Sequence, residues 1–195
     1  MSTVARPVSS KALSSEGSER PSAELYRLSD LPSKELAREF LRGQRPDPED
    51  IAGWEFRGLN HHRATRFLGI RKFIKGFYRS SGGLYGYNIK VAQTPLTEEW
   101  AALPDEDNPV RHGFYRVRRP DPTERDNAHL HALLLDYGQG ENPRFDPTRG
   151  LRDYLVQLTD DVFLGAAYYA LGNRRVLLPS YFILDRFRRG VTEAP

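Results

Sequence analysis

The chain has no cysteine, one methionine and no long apolar run. Without cysteine there is no disulfide, no thiolate metal site and no thiol nucleophile, and that absence fits any redox compartment. The longest apolar candidate, Val162 to Leu171, is about half of the roughly 20 residues a helix needs to span a bilayer. The first twenty residues are polar and Ser-rich with no apolar centre, unlike a secretory leader. The expectation is a soluble, cytoplasmic protein without membrane insertion. Acidic residues are missing from Arg57 to Leu96, a stretch that carries Arg57, Arg63, Arg66, Arg71, Lys72, Lys75, Arg79 and Lys90. The acids then arrive together as Glu98, Glu99, Asp105, Glu106 and Asp107. Such a basic stretch attracts anions, or forms a solvated face paired across space with the acidic segment.

What is present supports one domain with short appendages: 195 residues, 38% hydrophobic, 11% aromatic and 28% charged. That bulk excludes collagen-like, coiled-coil and wholly disordered chains. Residues 1–22, dominated by serine, read as a disordered tail, and 23–48 as a short helix with a linker. Asp30 or Ser33 caps the helix, Leu36, Ala37, Phe40 and Leu41 form its apolar stripe, and Gly43 ends it. Pro46-Asp47-Pro48 breaks the chain. From there to about residue 190 the period is two, with 191–195 as a tail.

Candidate strands are 51–59, 71–79, 84–92, 111–118, 129–137, 151–158, 162–170 and 176–187, separated by Gly, Pro, Asn and Asp turn signals. Eight short strands without intervening helical periodicity predict an all-β fold, an eight-stranded antiparallel up-and-down barrel with a short N-terminal helix. The long connection 93–110 has room for a helical turn. Alternation puts Trp54 and Phe56 on one face of the first strand and Tyr85, Tyr87 and Ile89 on one face of the third. Tyr115 and Val117 share a face of the fourth strand, and Tyr154 and Val156 a face of the sixth. Together they predict a tyrosine-rich, semi-polar interior, because a buried hydroxyl needs a partner. In the second strand either face turns a cation inward, Lys72 on one and Lys75 on the other, and the last strand poses the same question at Arg186. A buried cation requires a carboxylate, water or a ligand anion, and an ion pair with Glu55, Asp136 or Asp153 is the structural alternative.

The segments Ile51-Ala-Gly-Trp-Glu-Phe-Arg and Ser180-Tyr-Phe-Ile-Leu-Asp-Arg resemble the lipocalin and calycin barrels, and also an uncharacterised bacterial barrel family. That resemblance implies a strand-A tryptophan, here Trp54, covered by an arginine near the end of the barrel, here Arg186. Gly53 directly precedes Trp54, a departure from the usual Gly-x-Trp spacing.

His129 and His131 stand at i, i+2, so on a strand both imidazoles face one side, the way some β-proteins begin a metal site. No glutamate follows at the cupin interval, and solvent-exposed strand histidines are the competing reading, so no metal or other cofactor is expected. His61 and His62 follow the first strand as candidates for a rim base or an ordinary loop pair. Gly138-Gln139-Gly140 has no helix after it to hold a phosphate. Nucleic acid is disfavoured, because the aromatics that would stack on bases are needed to fill the barrel.

The leading expectation is a cavity that binds a small apolar or amphipathic molecule with an acidic or carbonyl end. Trp54, Phe56, Tyr85, Tyr87, Ile89, Tyr115, Val117, Tyr154 and Val156 would line it, with Lys72, Lys75 and Arg186 at the polar end. A cyclase or isomerase in the same cavity, and an interaction protein whose barrel is filled by its own side chains, are the alternatives. The sequence leaves oligomeric state open.

Overall fold

The computed structural model describes residues 20–61, 69–171 and 174–192, with side chains for all of these except 171 and 174–179. The expectations for the tail 1–19, for His62 and for Arg63 and Arg66 lie outside the described residues. Eight strands form a closed barrel in which each pairs antiparallel with its sequence neighbours and the last pairs with the first. They are β1 (Trp54–Asn60), β2 (Lys72–Ser80), β3 (Gly83–Lys90), β4 (Arg111–Arg118), β5 (Leu133–Asp136), β6 (Leu151–Gln157), β7 (Val162–Leu171) and β8 (Arg174–Arg189).

Three short helices precede the barrel where the sequence predicts one: α1 (Ala23–Asp30), α2 (Ser33–Arg42) and α3 (Pro48–Ile51). Ser22 caps α1 by accepting from the Leu25 N–H, so this serine belongs to a helix boundary and not to a disordered tail. α1 and α2 lay Leu25, Leu28, Leu36 and Phe40 on the outside of the wall, against Tyr154, Val156, Leu164 and Ile183. Leu41, placed on the stripe by sequence, is exposed because the helix turns it away from the barrel. α3 sends Ile51 into the barrel end to join the interior cluster.

β5 is four residues long, shorter than the expected 129–137, and β4 outruns it. The side chain of Asn142 covers the difference. Its Oδ1 accepts from the Phe114 N–H at 2.8 Å, and its Nδ2 donates to the carbonyls of Phe114 at 2.6 Å and Tyr137 at 2.9 Å. One carboxamide thus satisfies ladder groups that a longer strand would have paired.

Interior side chains come from every strand and form one cluster that includes Trp54, Phe56, Phe73, Phe77, Leu84, Tyr115, Val117, Leu135, Leu155, Phe163 and Phe182. Tyr85, Tyr87, Ile89, Tyr154 and Val156, expected inside, lie on the outer face of the wall. β3 instead turns Leu84 and Asn88 inward, and β6 turns Asp153 and Leu155. The cause is that the outer wall is itself covered, by α1 and α2 over β6–β8 and by residues 96–102 over β2 and β3. Alternation marks the inner face only when the other face meets water.

Among the described residues, the centre of the interior is filled. Phe56 makes edge-to-face contacts with Phe77 and Phe163, Phe77 with Tyr115, and Phe73 with Phe182. Three of these rings lie against glycines of the wall: a Cβ would stand 2.2 Å from the Phe73 ring at Gly58, 2.3 Å from Tyr115 at Gly86 and 2.0 Å from Phe182 at Gly165. A void wide enough for water would expose the atoms lining it, yet Phe56, Phe77, Tyr115, Leu135, Leu155, Phe163 and Leu184 are each 0% exposed. Gly165→Ala should therefore lower unfolding free energy by about 1–3 kcal/mol, and adding Phe182→Leu should cost less than the sum of the two single changes. Denaturant titration checks both, and a neutral Gly165→Ala would show that the ring has room to move.

Candidate functional site

At the end of the barrel closed by α3, the Arg186 guanidinium lies 4.7 Å from the centroid of the Trp54 ring and Arg189 lies 3.8 Å from it. Arg186 also donates to Asp161 Oδ1 at 2.8 Å and to the carbonyls of Asp50 and Asp160 at 3.0 Å each. The planar fork of arginine ties the β6–β7 turn, α3 and the indole into one closure. Arg186 faces inward, which alternation leaves open, and its charge is matched by Asp161.

Higher in the barrel, Lys75 points inward from β2 and is buried. Its Nζ donates to the Tyr137 hydroxyl at 2.7 Å and to Asp153 Oδ2 at 3.5 Å. The rings of Tyr115, Tyr137, Phe182 and Phe73 surround it at 4.5 to 5.8 Å from their centroids. Tyr137 donates its own proton to Asp153 Oδ2 at 3.0 Å and accepts from Asn88 Nδ2 at 3.3 Å. A phenol offers one donor and two acceptor positions, so this hydroxyl is fully used by Asp153, Lys75 and Asn88. A tyrosine beside an ammonium would polarise a carbonyl in an empty site; here both are committed to each other. Burial pushes Lys75 down to about 8, against the attraction of Asp153, and pushes the Asp153 carboxyl up.

His112 stands beside this cluster through the cross-strand pair Asn88↔His112. Burial, followed by the Lys90 charge, lowers its pKa against a hydrogen bond with the Val110 backbone and favours the neutral ring. The sequence reading missed Asn88, His112, Tyr137 and Asp153 as one group, because they converge from four strands and connections.

Lys72 faces outward, contrary to its placement at the polar end of a cavity. Its ammonium donates to Thr94 Oγ1, Pro95 O, Glu98 O and Glu99 O at 2.8 to 3.3 Å and sits 4.2 Å from the centroid of the Trp100 ring. It binds the 93–100 connection to the wall. Tyr87, also outside, donates to Glu55 Oε1 at 2.8 Å, while Arg188 Nε donates to Glu55 Oε2 at 2.7 Å. Burial, then Glu55, raises the Tyr87 hydroxyl above its usual value.

His129 and His131 lie in the turn before β5 and not on a strand, because β5 begins only at Leu133. Their rings meet edge-to-face at 5.9 Å and both pack on Phe40 of α2. His129 Nε2 is 2.5 Å from the Tyr168 hydroxyl, and His131 Nε2 donates to the Phe40 carbonyl at 3.3 Å. Among the described residues no three His, Asp or Glu gather as a metal shell. His61 Nε2 donates to the Leu31 carbonyl at 2.8 Å and so anchors the helical segment.

In the unfolded chain Lys75 titrates near 10.4. Between pH about 8 and about 10 the folded protein gives up a proton that the unfolded chain keeps, so Lys75 makes stability rise with pH across that window. Urea midpoints across this range should show that rise in the wild type and lose it in Lys75→Met. Asp153→Ala should cost about 3–5 kcal/mol at neutral pH, since it strands a buried ammonium.

The closed up-and-down barrel and the Arg186–Trp54 stack are consistent with a calycin-like fold. No protein-family model matches the chain, and no curated protein matches its sequence.

Proposed function

We propose that the protein is an interaction module in which the filled barrel is a rigid scaffold and binding takes place on its outside. The observation that carries this reading is the interior itself: aromatic rings close the space, Lys75 is paired with Asp153, and Arg186 with Asp161. A binder that must first expel its own core from the lumen loses that packing energy from its affinity.

The surface supports the same reading. Up-and-down topology delivers the β1–β2, β3–β4 and β5–β6 connections to one end, and these carry exposed Ile70, Leu103, Val110 and Phe145. Phe145 is 90% exposed, with the Arg144 guanidinium 5.7 Å from its ring centroid, and Lys90 lies exposed at the same end. An unburied aromatic beside arginine is the composition of an interface anchor. The partner that fits is a protein surface with an apolar recess and carboxylates beside it.

A closed eight-stranded barrel is also compatible with binding a small molecule. The half-buried His112 ring favours one place for it, the loop end beside Asn88, where an amphipathic ligand would set its polar group. Titration with anilinonaphthalene sulfonate and a ten-carbon fatty acid separates the two readings. The module reading expects no saturable one-to-one binding of either. Stoichiometric binding that His112→Phe abolishes would overturn it in favour of the cavity.

A further inference from the structure

On the side of the barrel, the outer faces of β4, β5 and β6, the 119–132 connection, and Gly138 and Gln139 at the start of the β5–β6 connection line a cleft of about 430 Å3. Cross-strand pairing sets its floor: Arg116↔Asp136 and Asp136↔Arg152 place an aspartate between arginines on one face. Asp136 is buried. It accepts from the Gly138 N–H and Gln139 Nε2 at 3.0 Å each, and pairs with Arg152 at 3.2 Å and Arg118 at 3.4 Å. Asp126, reaching in from the connection, is also buried and pairs with Arg152 at 2.9 Å and Arg125 at 3.3 Å. These two carboxylates are structural, because each is held from two or more sides and leaving either unpaired would be costly.

Glu124 is different. It stands on an exposed turn, its side chain is 51% exposed, and it pairs with Arg118 Nη2 at 2.7 Å. A half-exposed ion pair contributes little to stability, so this carboxylate is the exchangeable member of the set. Arg118 keeps a second donor in reserve: its Nε is buried with no hydrogen-bond partner. Three guanidiniums thus face two fixed carboxylates, and a half-exposed third completes the charge balance. A guanidinium fork with one arm used and its Nε unpaired suits two-point recognition of an oxyanion.

We propose that this cleft binds a small molecule through a carboxylate or phosphate group that displaces Glu124 from Arg118, with Glu124 acting as a built-in competitor. The anion would take both the Nη2 and the Nε of Arg118, and the rest of the molecule would occupy the cleft. This site lies outside the lumen, and its lining contains none of the exposed apolar residues Ile70, Leu103, Val110 and Phe145.

Calorimetric titration of the full chain with inorganic phosphate and, separately, with succinate tests the proposal. The wild type should bind at least one probe weakly, and whichever binds identifies the headgroup. Glu124→Gln should tighten that binding about fivefold, as expected for removal of a surface competitor. Arg118→Lys, which keeps the charge but loses the fork, should weaken it at least as much, while Glu141→Gln, an exposed acid elsewhere, should change nothing. Equal affinity in the wild type and Glu124→Gln, or no binding of either probe to Glu124→Gln, overturns the proposal. Glu124 is exposed, so its variant folds and carries the test even if the Arg118 variant is unstable.

Discussion

A lysine inside a closed barrel sets the terms for everything around it. An ammonium taken from water into an apolar interior needs an anion and hydrogen bonds at short range, or it loses its proton. Asp153 supplies the charge, Tyr137 supplies an oxygen at 2.7 Å, and Tyr115, Phe182 and Phe73 supply ring faces. Tyr137 is in turn fixed by Asn88, and Asn88 also donates to the Gly113 carbonyl at 2.9 Å. The pair therefore fixes the relation of β2, β3 and β6 to the β5–β6 connection, and it uses up the polar groups that a ligand would have met. The basic character of the sequence is absorbed in this manner at several places, with Lys72 tethering a connection, Arg57 paired to Asp185 and Arg186 closing the barrel end.

A second constraint acts from outside. The barrel wall is covered by helices on one side and by the long β3–β4 connection on another, so Tyr87, Ile89, Tyr154 and Val156 are as buried as the lumen residues. The protein is better pictured as a thin cylinder with a filled centre and two apolar coats. Among the described residues, exposed apolar side chains gather at the loop end, and a charged cleft lies beside β5.

The strand count, order and approximate limits were legible from alternation and turn residues, because a period of two survives even when both faces are buried. The inner faces of β1 and β4 were legible as well: Phe56 and Tyr115 stand opposite Arg57 and Arg116, which alternation reads as outward, whereas β8 carries a charge on each face, Arg186 and Asp185, and alternation left it open. β3 and β6 misled for a physical reason. Their larger residues pack outward under a coat, while Gly86 and Asp153 turn inward to make room for Tyr115 and to meet Lys75. The partner of Lys75 was one of three carboxylates named from sequence, and only the register selects Asp153. The Asn142 bridge had no sequence signal. The cap at Ser22 had one, Leu25 and Leu28 at helical spacing, masked by the serine-rich stretch before it.

Among the described residues, the centre of the lumen is packed without room of its own. Xenon enters dry apolar cavities and shifts the methyl signals of the residues that line them. Methyl spectra recorded under increasing xenon pressure should show no saturable shift at Leu133, Leu135, Leu155 or Leu184, the aliphatic residues at the centre of the lumen. A saturable shift confined to these methyls would reveal a hollow centre and return the function to the inside of the barrel.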